Sequence, residues 1–135
     1  MLAPEDPISV LLVDDHPAIL EGVGLLVEHT DGLAVWGTAE SGDDALAQLE
    51  ATGPAGAARQ DGPGVVVTDV RMPGMDGIEL AAEVHTRWPA LPCLVFSAEW
   101  SPVYAERARA AGAVGFVEKG DVSGLVGAIR RAGAL

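Results

Sequence analysis

The chain alternates short apolar runs with longer segments whose apolar residues recur at helical spacing. Ile8 to Val13, Leu33 to Trp36, Val65 to Val67, Cys93 to Phe96 and Val114 to Val117 have the length and β-branched content of buried strands. Between them, Ile19, Leu20, Val23, Leu26 and Val27 make one helical stripe, and Ala45, Leu46 and Leu49 make a second. Ile78, Leu80, Ala81 and Val84 mark a third helix, and Val122, Leu125, Val126 and Ile129 a last one, over Asp121 to Ala132. Pro102 can open a further helix to about Ala111, with Gly112 as its C′ residue. Ser41 is placed as an N-cap, with Asp43 and Asp44 in the first turn, where the helix dipole favours carboxylates. Five strands alternating with five helices predict βαβ units. Right-handed crossovers then favour a doubly wound parallel sheet of order 2-1-3-4-5.

Four of the runs end in polar groups. The first leads into Asp14-Asp15, the third into Thr68-Asp69, the fourth into Ser97 and the fifth into Glu118-Lys119. In such a sheet these carboxyl ends share one edge, the place where open α/β sheets bind ligands. Three carboxylates, a hydroxyl and an ammonium suit a magnesium ion and a phosphoryl group. Carboxylates so close raise one another's pKa unless a cation balances them. A single Asp at a strand end is ordinarily a turn or helix cap. The whole set in register is not explained that way. Asp69, on the expected central strand, is the candidate nucleophile, since a carboxylate can carry a phosphoryl group as an aspartyl phosphate.

Composition narrows the function further. With 135 residues the chain is one domain in length, and 49% apolar content is ordinary for a globular fold. No apolar run approaches a membrane span, and the N-terminus lacks the pattern of a secretory signal. A cytoplasmic protein is expected, and the single Cys93 fits a reducing compartment. A net charge of −12 argues against this domain gripping nucleic acid itself. Lys119 is the only lysine among eight basic residues, and it falls at the site.

The acidic pair Asp14-Asp15, the block Asp69-Val70-Arg71-Met72-Pro73-Gly74-Met75-Asp76-Gly77, Ser97-Ala98, and Phe116 three places before Lys119 resemble the receiver domain of bacterial two-component response regulators. The resemblance covers nearly the whole of residues 1–135. Asp14-Asp15-His16-Pro17 and Val35-Trp36-Gly37-Thr38-Ala39 are similar to the NarL/FixJ branch, whose members usually carry a C-terminal helix-turn-helix. The resemblance implies a flavodoxin-like fold and a phosphoryl group passed from a sensor histidine kinase to Asp69. It implies Mg2+ held directly by Asp15, Asp69 and the backbone carbonyl of Arg71, with Asp14 acting mainly through water. Lys119 would balance the charge, and Ser97 and Phe116 would switch on phosphorylation. The implied partners are the kinase, a phosphorylation-dependent second copy, and DNA only through an output domain outside this chain. Lys119 is followed by Gly120 where many receivers have proline, and Phe116 stands where many have tyrosine.

Competing readings are a Mg2+-dependent aspartate-nucleophile phosphohydrolase, a stand-alone receiver without DNA-binding output, and a pseudo-receiver that binds partners without phosphate. Phosphohydrolases of the haloacid dehalogenase type place their carboxylates as Asp-x-Asp on the first strand and usually need a cap domain. The adjacent pair and the short chain fit them poorly, and the complete acidic set argues against a pseudo-receiver. His16 is read as a residue at the start of a helix, Met72 and Met75 as packing and turn residues, and Arg130-Arg131 as a solvated face. Gly22-Val23-Gly24 lies inside a helical stripe and is no dinucleotide loop. Trp100 is either an exposed partner anchor or folded onto its own domain. Residues 1–7 are read as a tail, 52–64 as a Gly/Pro/Ala-rich loop, and 133–135 as the possible start of a linker.

Overall fold

The computed structural model describes residues 6–52 and 62–135; most of the 1–7 tail and of the 52–64 loop lies outside the described residues. Each apolar run forms a strand and each stripe a helix: β1 (Ile8–Val13), α1 (Pro17–Glu28), β2 (Leu33–Ala39), α2 (Gly42–Glu50), β3 (Val65–Thr68), α3 (Gly77–Arg87), β4 (Cys93–Ser97), α4 (Pro102–Ala110), β5 (Gly115–Glu118) and α5 (Val122–Gly133). All strand pairs are parallel, in the order β2-β1-β3-β4-β5.

Alternate side chains of the central strands feed two cores, as strand geometry requires when both faces are covered. Val10, Leu12, Val65, Val67, Leu94 and Phe96 pack against Val27 of α1 and Leu125 and Ile129 of α5. Leu11, Val13 and Val66 pack with Leu49 of α2 and Leu80 and Val84 of α3. Burying one such Leu or Val side chain stabilises the fold by about 1.5–3 kcal/mol.

The helices start where side-chain acceptors meet free backbone N–H groups. Ser41 accepts from Asp44 N, Ser101 from Val103 N and Tyr104 N, and Asp121 from Gly124 N. Asp76 and Glu79 form a reciprocal capping box at the start of α3. Gly112 takes a φ of +101° just beyond α4, as a C′ glycine does.

One strand is longer than the apolar pattern predicts. β2 runs through Ala39 instead of ending at Trp36, because the pairing with β1 shifts between Val10↔Val35 and Leu11↔Gly37. Trp36 is the extra residue of this bulge, and the ladder resumes beyond it. The other strands differ from the expected limits by a residue, within the fraying of element ends.

Candidate functional site

Asp14, Asp15, Asp69, Ser97 and Lys119 meet at the carboxyl edge of the sheet. Asp14 follows β1 and is 3% exposed, Asp69 follows β3 and is 6% exposed, and Ser97 ends β4 at 3%. Backbone bonds set their depth. Asp14 N–H donates to Ala39 O, Asp69 N–H to Val13 O, and Lys119 N–H to Ser97 O at 2.8 Å. Each ladder thus continues one step into the site.

Lys119 Nζ lies 2.8 Å from Asp14 Oδ2 and 3.3 Å from Asp69 Oδ2. Asp69 Oδ1 accepts from the Val70 N–H at 2.8 Å. Burial, and then the neighbouring Asp14 charge, push the Asp69 carboxyl above its ordinary range, while Lys119 and the Val70 N–H pull it back. A further cation beside the carboxylate would act in the same direction as Lys119.

Asp15 is partly buried, and its Oδ1 is shut off from solvent with no hydrogen-bond partner among the described residues. His16 Nδ1 is 3.1 Å from that atom, close enough for an ion pair but not aligned as a hydrogen bond. A buried carboxylate oxygen left without a donor, beside two further carboxylates, is a donor set that fits a hard divalent cation. Atoms of Asp14, Asp15, His16 and Asp69 lie within 4.8 Å of one another. His16 also reaches Asp14 Oδ1, from its backbone N–H at 2.9 Å and its Nδ1 at 3.0 Å. That hydrogen bond, with the charges of Asp15 and Asp14, raises the His16 pKa.

The loop after Asp69 is shaped by two glycines. Gly74 has a φ of +75°, and a Cβ on Gly77 would overlap the Asp69 carbonyl oxygen. Gly77 N–H donates to Val70 O at 2.9 Å, folding the loop back on itself. Arg71 sits in this loop with its side chain turned outward, 3.1 Å from Glu99 Oε2 and 3.4 Å from the Tyr104 hydroxyl. Ser97 Oγ accepts from Glu99 N–H at 3.2 Å. Phe116 faces Val95 across the ladder and packs, partly buried, on Val70, Ile78, Val95 and Ala108.

Asp14, Asp15, Asp69, Ser97 and Lys119 therefore share this edge, while the Arg71 side chain turns outward to Glu99 and Phe116 packs against the Val70, Ile78, Val95 and Ala108 cluster. The tie from Arg71 to Glu99 and Tyr104 was not among the sequence expectations. Neither was the entry of the His16 ring into the acidic group. Met72 is buried in the core, and Trp100 is 55% exposed. Arg130 reaches the Asp31 carbonyl oxygen instead of being wholly solvated.

A model of the response regulator receiver domain matches residues 10–130. The chain is 34% identical over 124 residues to the response regulator GacA of Pseudomonas protegens, covering 91% of this chain and 54% of that protein. It is 37% identical over 118 residues to the DNA-binding transcriptional activator DevR/DosR of Mycobacterium tuberculosis, covering 87% of this chain and 50% of that one. A crystal structure of a LuxR-family two-component response regulator from Aurantimonas superposes with a TM-score of 0.84 at 32% identity, over 96% of this chain and 86% of that one. The chain belongs to the response regulator receiver domain family of two-component signalling. It is similar to NarL-type regulators within it, and it spans about half the length of the curated relatives it matches. The match is to a signalling domain and not to an enzyme family. Among the described residues, no helix is long and apolar enough to cross a membrane.

Proposed function

We propose that this domain is the cytoplasmic input switch of a two-component regulator, with Asp69 as the phosphoacceptor. The observation that carries the reading is the position of Asp69: buried at the end of the central strand, beside Asp14 and within 3.3 Å of the Lys119 ammonium. An Asp69 carboxylate oxygen forms the new O–P bond as the P–N bond of a kinase phosphohistidine breaks. The electron pair leaves with the imidazole nitrogen, which takes up a proton. Lys119 stabilises charge on the transferring oxygens. Ser97, whose hydroxyl oxygen accepts from Glu99, has its own proton to donate to a phosphoryl oxygen.

Asp15, Asp69 and the Arg71 carbonyl are the proposed direct ligands of Mg2+, with Asp14 acting through water. When bound, the ion supplies neutralisation of carboxylate and phosphoryl charge. The modified aspartate shifts the balance between two packings, with Ser97 moving toward the phosphoryl group and Phe116 turning inward. The partners are a sensor histidine kinase, a second copy of the phosphorylated domain, and DNA through an output domain outside this chain.

The test is incubation with a small phosphodonor and Mg2+, followed by mass spectrometry of the intact protein. One aspartyl phosphate on the wild type and none on Asp69→Asn is expected. Equal labelling of both proteins, or none of the wild type, overturns the assignment.

A further inference from the structure

Thr68 is the last residue of β3 and is fully buried, paired with Val13 of β1 on one side and Val95 of β4 on the other. The three residues before it are Val65, Val66 and Val67. A valine would fill the same space without a hydroxyl to desolvate, and an unused hydroxyl in such a place is costly. This one is used. Thr68 Oγ1 lies 2.9 Å from the Asp69 carbonyl oxygen, and since a carbonyl can only accept, the hydroxyl donates.

That carbonyl belongs to the peptide group joining Asp69 to Val70, whose other end is the Val70 N–H. The N–H donates to Asp69 Oδ1 at 2.8 Å. One rigid plane is thus held at both ends, by the Thr68 hydroxyl at its oxygen and by the Asp69 carboxylate at its nitrogen. The oxygen has no other hydrogen-bond donor among the described residues, and it lies so close to Gly77 that a Cβ there would overlap it. Turning the plane therefore breaks both bonds together. Threonine is stiff about χ1, and Thr68 lies in a ladder paired on both sides, so the donor is itself fixed.

We propose that Thr68 is a positioning residue for Asp69: its hydroxyl sets the peptide plane between Asp69 and Val70, and the N–H of that plane aims the carboxylate. Oδ1 is engaged by Val70 and Oδ2 faces Lys119 at 3.3 Å, so the carboxylate presents one orientation to an incoming phosphoryl group. A hydrogen bond at the carbonyl oxygen also polarises the amide and strengthens its N–H as a donor. The inference rests on the proposed phosphoacceptor role of Asp69 for its effect on rate, and not for the hydrogen-bonded chain itself.

The experiment compares the full chain of wild type with Thr68→Val, which keeps the shape and removes the donor, and Thr68→Ser, which keeps the donor. The Val70 amide proton is followed by heteronuclear NMR in metal-free buffer, and the rate of Asp69 labelling by phosphoramidate is measured in saturating Mg2+. In Thr68→Val the amide proton is expected to move upfield by a few tenths of a ppm, and the labelling rate to fall about tenfold. Thr68→Ser is expected to return the amide toward its wild-type position and the rate to within about threefold of wild type. An unmoved Val70 amide in Thr68→Val, a wild-type rate in that variant, or equal rate losses in Thr68→Val and Thr68→Ser overturns the proposal. Should valine disturb the fold, as thermal unfolding would show, Thr68→Ala set against Thr68→Ser isolates the hydroxyl with the same readouts. If wild type takes no label at Asp69, the phosphoacceptor reading fails, while the amide shift in metal-free protein still decides the role of the Thr68 hydroxyl.

Discussion

Lys119 Nζ is nearer to Asp14 Oδ2, at 2.8 Å, than to Asp69 Oδ2, at 3.3 Å. The ammonium therefore joins β5 to β1 across the site as well as facing the proposed phosphoacceptor. Both Asp14 and Asp69 are almost wholly buried, and Lys119 is the cation that meets both, while Asp14 also meets the His16 ring at 3.0 Å.

Replacing Lys119 by Met should then do more than slow phosphotransfer. Breaking a fully buried pair costs roughly 3–5 kcal/mol, and this site is open at its rim, so a loss of about 2 kcal/mol is expected without metal. Mg2+ should restore part of it by neutralising the same carboxylates. Denaturant unfolding in EDTA and in Mg2+ measures both values. A Lys119→Met protein as stable as wild type in EDTA would show that the bridge contributes nothing to the fold.

Asp69→Asn should act in the opposite direction. The Asp69 carboxyl is raised above its ordinary range, so between that range and its native pKa the folded protein holds a proton that the unfolded chain has released. Stability from this group is present at low pH and is lost as pH rises through the window. In metal-free buffer at neutral pH, Asp69→Asn is expected to be more stable than wild type, with the advantage shrinking as pH falls. At Mg2+ ten times its Kd, wild type should gain about 1.4 kcal/mol and the variant much less. A variant less stable than wild type at every pH without metal would mean that the Lys119 contact outweighs burial and Asp14 repulsion.

Gly77→Ala tests the loop that carries Arg71. The new methyl meets the Asp69 carbonyl, which is backbone and cannot rotate away as a side chain would. A loss of about 3 kcal/mol is expected from such overpacking. Gly22→Ala, in α1 with open space around its Cβ position, should instead be neutral or stabilising by up to about 1 kcal/mol. Thermal unfolding of the two variants side by side decides the point, and equal effects would refute the account of Gly77.

What was readable in the sequence follows from the range of the interaction that each feature depends on. The strands and the two-faced core are written in local period, and the strand ends carry Asp14, Asp69, Ser97 and Lys119 to one edge by topology alone. The bulge at Trp36 depends on pairing with β1 and leaves no periodic trace. Arg71 meets Glu99 and Tyr104 across 28 and 33 residues, and nothing in the spacing of exposed charged residues announces such a contact. His16 was legible as the residue before α1, but the direction of its ring is set by an Asp14 oxygen, which only the folded loop places. The Gly77 requirement was visible as a motif glycine, while its cause, the Asp69 carbonyl, was not.

Cys93 offers a pH test at a distance from the acidic group. It is fully buried in β4, and burial pushes its thiol up from an ordinary 9.0 to about 12. In that window the unfolded chain releases the proton while the native chain keeps it, so folding is opposed increasingly as pH rises above 9.0. Below the window the contribution is constant. Alkylation by a thiolate-selective reagent at pH 8 should accordingly follow global unfolding, rising with denaturant along the same curve as loss of helix signal. Cys93→Ala should remove the alkaline component of the stability profile and cost about 1 kcal/mol at neutral pH for the lost sulfur packing. Rapid labelling of native protein at pH 8 would instead show that β4 opens locally at its pairing with Val66, and would overturn the expectation of global protection.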